Sequence, residues 1–213
     1  MACIVPVVLN KQTFIFCFSR SLCLYFQTRM MLSKFDASQY IITTSGNKVS
    51  RKSRITGSDF IAFGGKCVIL EDVMIRGDLR GTKKNIPSII LGKYVFIMRS
   101  CLIVPPYQNS GESFKYYPLK CGSFVELNSA SIIKASSIGN YVKVGSNCII
   151  DNSVIIKDCC IIDDNTVIPE NVVIPPYSIV HGNPGRIVRK LNSNFASEFE
   201  VYMKTKYQYF IPK

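Results

Sequence analysis

Aliphatic residues recur at an interval of six along the second half of the chain. Eight consecutive positions of this series hold isoleucine or valine: Ile138, Val144, Ile150, Ile156, Ile162, Ile168, Ile174 and Val180. The fourth residue after each is small or of modest size, namely Val142, Cys148, Val154, Cys160, Thr166, Val172, Ser178 and Pro184. An amphipathic helix repeats about every 3.6 residues and a coiled coil about every seven, so neither produces this spacing. We expect both sets of side chains to face a common interior.

A six-residue period rich in β-branched residues predicts an all-β fold, the single-stranded parallel β-helix. Short strands form the three faces of a triangular prism, and each hexad supplies one strand and one corner. Gly, Asn and Asp favour such corners and lie between the aliphatic positions, as in Gly139-Asn140, Asp151-Asn152 and Asp163-Asp164-Asn165. Three hexads therefore make one coil.

The same spacing occurs earlier in the chain in four groups whose phases differ from that of the later series: Val49 and Ile55; Phe63, Ile69 and Ile75; Leu91, Ile97 and Ile103; Cys121, Leu127 and Ile133. Breaks in phase predict loops, one of which spans 80–88. A longer excursion at 107–118 returns the chain in register, because Cys121 follows Leu91 by 30 positions, or five hexads. We predict a prism over 40–188 from which the loop 107–118 protrudes at a corner.

Residues 192–210 have a helical pattern instead. Asn192-Ser193-Asn194 can cap a helix, acidic residues come early in the segment, and lysines come late. Apolar side chains approximate helical spacing at Phe195, Phe199, Tyr202, Met203 and Phe210. We predict a C-terminal α-helix that packs on the prism and shields its β edges. The alternative is that the same apolar face binds a partner.

Residues 1–31 differ in composition from the rest of the chain. The first thirty hold three basic residues and no acidic one, whereas all 14 acidic residues lie from Asp36 onward. Lys11 and Arg20 interrupt the apolar stretches, so none reaches the roughly 18 residues of a membrane span, and no clean signal-peptide cleavage site follows. We expect a disordered extension of uncertain status that precedes a start at Met30 or Met31.

The charge balance bears on the kind of partner. The 26 basic and 14 acidic residues give a net charge of +12, and +9 remains without the first thirty residues. Basic residues are scattered singly or in pairs and are not interleaved with aromatic residues, as a nucleic-acid platform requires. We therefore expect an acidic protein partner, no nucleic acid and no stable membrane insertion.

Cysteine and histidine positions limit the chemistry. Four cysteines, Cys67, Cys101, Cys148 and Cys160, fall at the small inward position, where a thiol is a compact apolar filler. Cys159 and Cys160 should point to opposite sides of a strand, and the chain has no CxxC pair, so we expect no zinc site. With His181 as the single histidine, three-histidine metal sites cannot form within the chain, and we expect no cofactor.

Two short segments of the chain each resemble a motif of an enzyme family with hexapeptide repeats. Ile75-Arg76-Gly77-Asp78-Leu79 resembles a strand of the γ-class carbonic anhydrases, in which Arg and Asp bridge subunits beside a zinc held by three histidines. Segment 182–189 resembles the end of hexapeptide acyltransferase prisms, in which catalysis requires a histidine base in a mid-prism loop. His181 lies at the prism exit instead. We expect Arg76 and Asp78 to form a structural ion pair or an interface, and a homotrimeric enzyme of either class remains the alternative.

A third resemblance covers the chain from about residue 40 to its end. Its motifs occur in order: Ser45 to Arg51 (SGNKVSR), IRGDL at 75–79, Pro105-Pro106-Tyr107, Pro118-Leu119, GNYVKVG at 139–145, KDCC at 157–160, DNTV at 164–167 and PPY at 175–177. On these motifs the chain resembles the dynactin subunit 5 family, a non-enzymatic branch of the hexapeptide-repeat proteins. The resemblance implies a left-handed β-helix, an exception to right-handed crossovers.

The resemblance also implies partners and a place in the cell. Family members belong to the pointed-end complex of dynactin, with dynactin subunit 6, dynactin subunit 4 and the pointed-end actin-related protein, in the cytoplasm and cytoskeleton. The implied role is to cap the actin-related filament and to help recruit cargo adaptors for dynein. It predicts a hetero-oligomer rather than a homotrimer.

The loop 107–118 is the sequence candidate for a protein contact. It holds Glu112, Phe114, Lys115, Tyr116 and Tyr117, and aromatic residues on an otherwise polar loop are typical interface anchors. The alternative is that Phe114 and Tyr117 only pack the loop onto the prism.

Overall fold

The computed structural model of the protein describes residues 3–9, 12–18, 36–81, 86–109, 111 and 114–210. The chain divides into two compact units, Met1–Asp36 with Phe210–Lys213 and Ala37–Tyr209.

The first unit contains a two-stranded antiparallel hairpin. Strand β1 (Cys3–Leu9) pairs with β2 (Gln12–Phe18), and Leu9 lies opposite Gln12. The disordered extension of uncertain status that we expected over residues 1–31 stays a prediction, and Met30 and Met31 lie outside the described residues.

The second unit is built from three sheets whose strands the chain visits in turn. The first face contains β3 (Tyr40–Ile42), β4 (Lys48–Ser50), β7 (Val68–Ile69), β10 (Val95–Ile97), β15 (Val125–Leu127), β18 (Val142–Val144), β21 (Cys160–Ile162), β24 (Ser178–His181) and β25 (Arg186–Lys190). The second face contains β5 (Arg54–Thr56), β8 (Met74–Arg76), β11 (Leu102–Ile103), β16 (Ile132–Ile133), β19 (Ile149–Ile150) and β22 (Val167–Ile168). The third face contains β6 (Ile61–Phe63), β9 (Ile89–Leu91), β14 (Leu119–Cys121), β17 (Ser137–Ile138), β20 (Ile155–Ile156) and β23 (Val173–Ile174).

Neighbouring coils pair in parallel, which confirms the predicted parallel β-helix. Only β3 and β25, at the two ends of the first face, pair antiparallel with their neighbours among these described strands. The other described elements are a hairpin of β12 (Tyr107–Asn109) and β13 (Phe114–Tyr116), two short 3-10 helices (Ala37–Gln39 and Ser58–Phe60) and helix α1 (Phe195–Tyr209). Cys121 lies beside Leu91, as the 30-residue offset requires.

The interior of the prism matches the hexad pattern. All eight aliphatic residues from Ile138 to Val180 are at most 3% exposed. The four cysteines predicted to face inward, Cys67, Cys101, Cys148 and Cys160, are buried as well. Pro184 is the exception, because it is exposed. The chain has already left the coil after Val180 and turns toward β25, so the inward prediction for Pro184 was wrong.

The corners adopt left-handed backbone angles at regular positions. Among the residues that the structure describes, thirteen other than glycine have positive φ, including Asn147, Ser153, Cys159, Asn165 and Asn171, which follow one another at intervals of six. Such a conformation costs on the order of 1 kcal/mol for a residue with a Cβ atom. The paired strands and the filled interior on both sides hold each corner in place.

The corner between the third and first faces carries a column of aromatic rings. Tyr94 and Phe124 stack with centroids 5.1 Å apart, and Phe124 and Tyr141 with centroids 5.2 Å apart. A glycine column runs beside it, since a Cβ atom at Gly122 would lie 2.6 Å from the carbonyl oxygen of Gly139. Side chains extend this contact between coils, because the Asn140 backbone N–H donates to Asp158 Oδ1 at 2.6 Å. These contacts explain the GNYVKVG and KDCC motifs as successive turns of one corner.

Helix α1 covers the outer side of the first face. It buries Phe195, Phe199 and Met203, three of the five apolar residues assigned to its packing face. The helix begins at Phe195 rather than at Asn192, and the carbonyl of Asn194 accepts hydrogen bonds from the Ser197 hydroxyl and the Glu198 N–H.

The contacts of α1 follow the aromatic column. The Tyr207 ring meets Tyr94 edge-on at 5.7 Å, and the Tyr141 hydroxyl lies 3.1 Å from Glu200 Oε2. The Tyr207 hydroxyl donates to the carbonyl of Gly46 at 2.7 Å. The helix is therefore tied to several coils at once.

Candidate functional site

Arg76 and Asp78 form an ion pair at the end of β8. The guanidinium donates to the carboxylate through two hydrogen bonds of 2.8 Å, and the Thr56 hydroxyl donates to Asp78 Oδ1 at 2.6 Å. The hydrogen bond from Arg76, followed by that from Thr56, holds the pKa of Asp78 far below its usual range. Both side chains are partly exposed, at 38% and 40%. The pair lies within one chain and leaves its outer side accessible.

Gly77, between these two residues, is required by close packing. A Cβ atom there would lie 2.6 Å from a side-chain carbon of Ile61 and 2.7 Å from the carbonyl oxygen of Gly57. The turn after β8 therefore fits tightly over the neighbouring strand, which fixes the direction in which Arg76 and Asp78 point.

The excursion at 107–118 is the hairpin β12–β13, at the corner between the second and third faces. Its base is anchored two coils further on, because the Tyr107 N–H donates to Asn152 Oδ1 at 2.9 Å and the Asn152 amide donates back to the Tyr107 carbonyl. The Tyr117 N–H also donates to the carbonyl of Pro106 at 2.8 Å. These bonds hold the hairpin at a fixed position on the prism.

The hairpin brings together four of the five residues predicted for this contact. Phe114 is 60% exposed and lies edge-on to Tyr107 at 5.4 Å. Lys115 is exposed, whereas Tyr116 and Tyr117 are half-buried. The fifth residue, Glu112, lies outside the described residues.

The two tyrosines stabilise the hairpin itself. The Tyr117 hydroxyl is 2.7 Å from Gln108 Oε1 and donates to it, while the Tyr116 ring lies 5.9 Å from that of Tyr107. Phe114 has a ring contact only with Tyr107 among the described residues. We considered that Phe114 and Tyr117 only pack the loop onto the prism. The contacts of Tyr117 agree with a packing role better than those of Phe114 do.

A groove of about 290 Å³ separates this hairpin from the loop of the preceding coil. The described residues of its lining include two basic side chains and no acidic one: Arg80, Gly81, Ile86, Pro87, Ser88, Lys115, Tyr116, Tyr117 and Pro118. The Arg80 guanidinium lies 4.0 Å from the centroid of the Phe60 ring, which holds it at the rim. The sequence predicted the loops 80–88 and 107–118. It did not predict that the two loops lie at the same corner of the prism, because they are far apart along the chain.

The second face carries an outward row of apolar side chains across successive coils. In register, these are Met74, Leu102, Ile132, Ile149 and Val167. Their inward neighbours are fully buried, whereas Ile149 is 36% exposed and the others are half-buried. The sequence analysis missed this row. In the sequence, each member of the row directly precedes an inward aliphatic residue, namely Ile75, Ile103, Ile133, Ile150 and Ile168.

The four inward-facing cysteines of the prism are buried packing residues. Burial raises the pKa of Cys67, Cys101, Cys148 and Cys160 to about 11. At neutral pH these thiols are protonated and therefore poor nucleophiles and metal ligands. Across the described residues, no group of three or more His, Cys, Asp or Glu side chains is arranged to hold a metal ion.

His181 lies at the end of β24, where the chain leaves the prism. Its side chain is 61% exposed, and Nδ1 is 3.7 Å from Asp163 Oδ2. His181 therefore lies at the end of the prism and is open to solvent, whereas an acyltransferase base is expected in the middle coils. No helix in the described part of the chain has the length and apolar character needed to cross a bilayer.

Comparison with known proteins gives one family and one fold. The family model described as Dynactin subunit 5 matches residues 30–213. Dynactin subunit 5 of Dictyostelium discoideum is 36% identical over 106 residues, which cover 50% of this chain and 50% of that protein. The match to this relative thus spans half of the relative's length.

Solved structures with the same architecture are hexapeptide transferases. A hexapeptide transferase family protein from Anaplasma phagocytophilum has a TM-score of 0.57 at 14% identity, over 77% of this chain and 90% of that one. The N-acyltransferase AntD from Bacillus cereus, in complex with dTDP and 3-hydroxybutyryl-CoA, has a TM-score of 0.58 at 14% identity, over 75% and 87%. At this identity the likeness shows the fold alone, and it confirms the left-handed β-helix of hexapeptide repeats.

Proposed function

Because the chain belongs to the dynactin subunit 5 family, we propose that it is a non-catalytic assembly subunit of the dynactin pointed-end complex. In this role it helps cap the actin-related filament and recruits cargo adaptors for dynein-driven transport in the cytoplasm, on the cytoskeleton. The observation that carries the proposal is the anchored hairpin β12–β13, which presents Phe114 to solvent at 60% exposure.

The proposed partners within the complex are dynactin subunit 6, dynactin subunit 4 and the pointed-end actin-related protein. The apolar row from Met74 to Val167 supports pairing with a second prism, because a flat, partly exposed apolar surface across several coils fits another flat sheet. Helix α1 covers the first face, whereas the second face is an accessible flat side that carries this apolar row.

A non-enzymatic role is part of the same proposal. The chain has one histidine, which lies at the prism exit, whereas the enzymes that share this architecture use a mid-prism base or a three-histidine zinc site. The Arg76–Asp78 pair then serves as a structural ion pair that an adjoining subunit can contact.

The hairpin is the proposed contact for cargo adaptors. Phe114 projects from a support fixed by Tyr107 and Asn152, so its ring loses little conformational freedom when a partner covers it. Lys115 lies next to it, and Lys115 Nζ is 5.6 Å from the Tyr117 ring centroid. An exposed aromatic ring beside a cation is a typical interface anchor.

The test is alanine substitution of Phe114 and Tyr116 in a reconstituted pointed-end complex. We expect adaptor binding in a pull-down titration to weaken by about tenfold or more, because removal of an interface hot spot costs roughly 2 kcal/mol or more. Val201→Ala is the matched control, since Val201 is 48% exposed on helix α1. The contact would be refuted if the Phe114→Ala/Tyr116→Ala protein, with its fold intact, assembled and bound adaptors as the unsubstituted protein does.

A further inference from the structure

Strand β25 is the terminal strand of the nine-stranded first face. It pairs antiparallel with β24 on one side, with His181 opposite Arg186 and Ser178 opposite Lys190. All five of its residues are exposed, and Ile187 and Val188 remain 49% and 50% accessible. The described part of the chain places no strand on its other side.

An edge strand of this length can receive another strand. Five residues of β-strand extend over roughly 17 Å, and about half of their backbone N–H and C=O groups point away from the paired neighbour. The pairing with β24 shifts register at Val188, because Ile179 lies opposite Arg189 and Val180 opposite Ile187. Ile187 and Val188 are both about half exposed, so an added strand could bury apolar surface at this point of the edge. Extended segments bind other proteins in this way through main-chain hydrogen bonds.

The side chains of β25 determine which segment fits. Three of its five residues are basic, namely Arg186, Arg189 and Lys190, and the strand contains no acidic residue. Within the described residues, Arg186 and Lys190 make no ion pair. A second copy of the same strand is disfavoured because like charges would lie opposite one another. An acidic segment instead gains charge complementarity along the whole strand.

We propose that β25 is a docking edge for an extended, acidic segment of a partner protein, which adds as a further strand to the first face. This site lies at the end of the prism and uses none of the residues of the hairpin β12–β13. It therefore goes beyond the adaptor contact proposed above, and either proposal can fail without the other.

A fluorescence anisotropy titration tests the docking edge with the full chain and a labelled peptide of alternating Glu and Val. The companion peptide has the same sequence with N-methylated alternate amides, which removes backbone donors and keeps every charge. We expect the unmodified peptide to bind at least about tenfold more tightly than the N-methylated one. Hydrogen exchange of residues 186–190 should slow when the unmodified peptide is added.

Charge reversal at Arg186, Arg189 and Lys190 to Glu should weaken binding by at least about tenfold. The matched control reverses three exposed lysines elsewhere, Lys52, Lys120 and Lys157, and should change affinity by less than about threefold. The hairpin variant Phe114→Ala/Tyr116→Ala should bind the peptide normally.

Three results would overturn the docking edge: no binding of the unmodified peptide, equal binding of the N-methylated peptide, or equal loss in the two charge-reversed proteins. The first would mean that the basic side chains only keep the edge from self-association. The second and third would mean diffuse electrostatic attraction without strand addition. The N-methylated comparison uses the unsubstituted protein, so it remains decisive even if the charge-reversed chain misfolds.

Discussion

Glu126 and Lys206 form a buried ion pair between the first face and helix α1. Lys206 Nζ lies 2.8 Å from Glu126 Oε1, and the two side chains are only 5% and 4% exposed. Burial by itself opposes ionisation of Glu126, but the charges of Lys206 and Lys143 outweigh it and hold the pKa of Glu126 below its usual value. Burial, together with the nearby Glu126 charge, raises the pKa of Tyr202 well above its usual value. This cluster is the polar part of the helix attachment.

Replacing Lys206 with methionine should leave the Glu126 carboxylate buried without its closest cation. We expect the free energy of unfolding in urea to fall by about 3 kcal/mol, since breaking a buried pair on one side is strongly destabilising. Lys204→Met is the matched control, because Lys204 is 48% exposed and pairs with Glu200 on the surface. It should cost less than about 1 kcal/mol.

The double variant Glu126→Leu/Lys206→Met should recover most of the stability lost in Lys206→Met, because two apolar side chains can replace a buried pair. It should also lose less stability in acid. The folded pKa of Glu126 is lowered, so the contribution of the pair is complete above the ordinary pKa of a glutamate carboxyl and is lost as the pH falls below it through the lower folded pKa. Equal losses for Lys206→Met and Lys204→Met would contradict this role of the pair.

The sequence predicted the inward residues of the prism but not this pair. Ile138 to Val180 repeat at a fixed interval, and their burial follows from local pattern alone. Glu126 and Lys206 are 80 residues apart, and each looks like an ordinary surface charge in its own segment. The late lysines of α1 were explained by the helix dipole, whereas Lys206 is buried because the first face lies directly beneath it.

At the level of elements, the aromatic column links helix α1 to the corner of the prism. Phe124 lies in the middle of the column, stacked on Tyr94 and Tyr141, and Lys204 Nζ is 6.0 Å from its ring centroid. Each stacked pair contributes about 0.5–1.5 kcal/mol beyond its buried area. The column therefore stabilises both the coil-to-coil contact and the position of the helix.

Phe124→Ala should remove two ring contacts together. We expect the free energy of unfolding to fall by about 2 kcal/mol, and hydrogen exchange in α1 to become faster. Phe114→Ala, which truncates an exposed ring on the hairpin, should change stability by less than about 0.5 kcal/mol. If the two alanine variants had the same stability and the same exchange in α1, the column would have no role in holding the helix.

The elements were predicted to different extents for physical reasons. Hexad spacing predicted the strands, and a change of period predicted α1. The aromatic column was missed because Tyr94, Phe124 and Tyr141 are separated by unequal intervals. Corner loops of different length lie between their coils, so the column becomes regular only after the chain has been folded into register.

For the whole molecule, the three faces of the prism differ in what covers them. The first face lies under α1, and on its outer side Phe96 and Ile161 are buried. The second face keeps its apolar row partly exposed, and the third meets the second at the corner that carries the hairpin. Different surfaces on different sides suit a subunit with several unlike neighbours better than a symmetric trimer, in which every copy uses the same interface.

The mass in solution tests this arrangement. By light scattering we expect a single chain of 23.9 kDa when the protein is alone and a one-to-one complex when dynactin subunit 6 is added.

The double variant Ile132→Glu/Ile149→Glu places two charges in the middle of the apolar row. It should weaken the complex with dynactin subunit 6 by at least about tenfold, because binding would bury carboxylates that have no partner. Val173→Glu, an exposed substitution on the third face, is the control and should leave the complex intact.

A stable homotrimer that binds acyl-coenzyme A or zinc would instead favour the enzyme alternative. An intact complex with Ile132→Glu/Ile149→Glu would show that dynactin subunit 6 pairs with another surface.

The pairing of every coil with the next on all three faces has a mechanical consequence. The ladder hydrogen bonds run along the prism axis, so a pull along that axis is shared by the bonds of three strand pairs before two coils can separate. A pull on β25 acts on one strand pair only and can open its bonds one after another. The prism is therefore stiff between its coils and yields first where the chain leaves it.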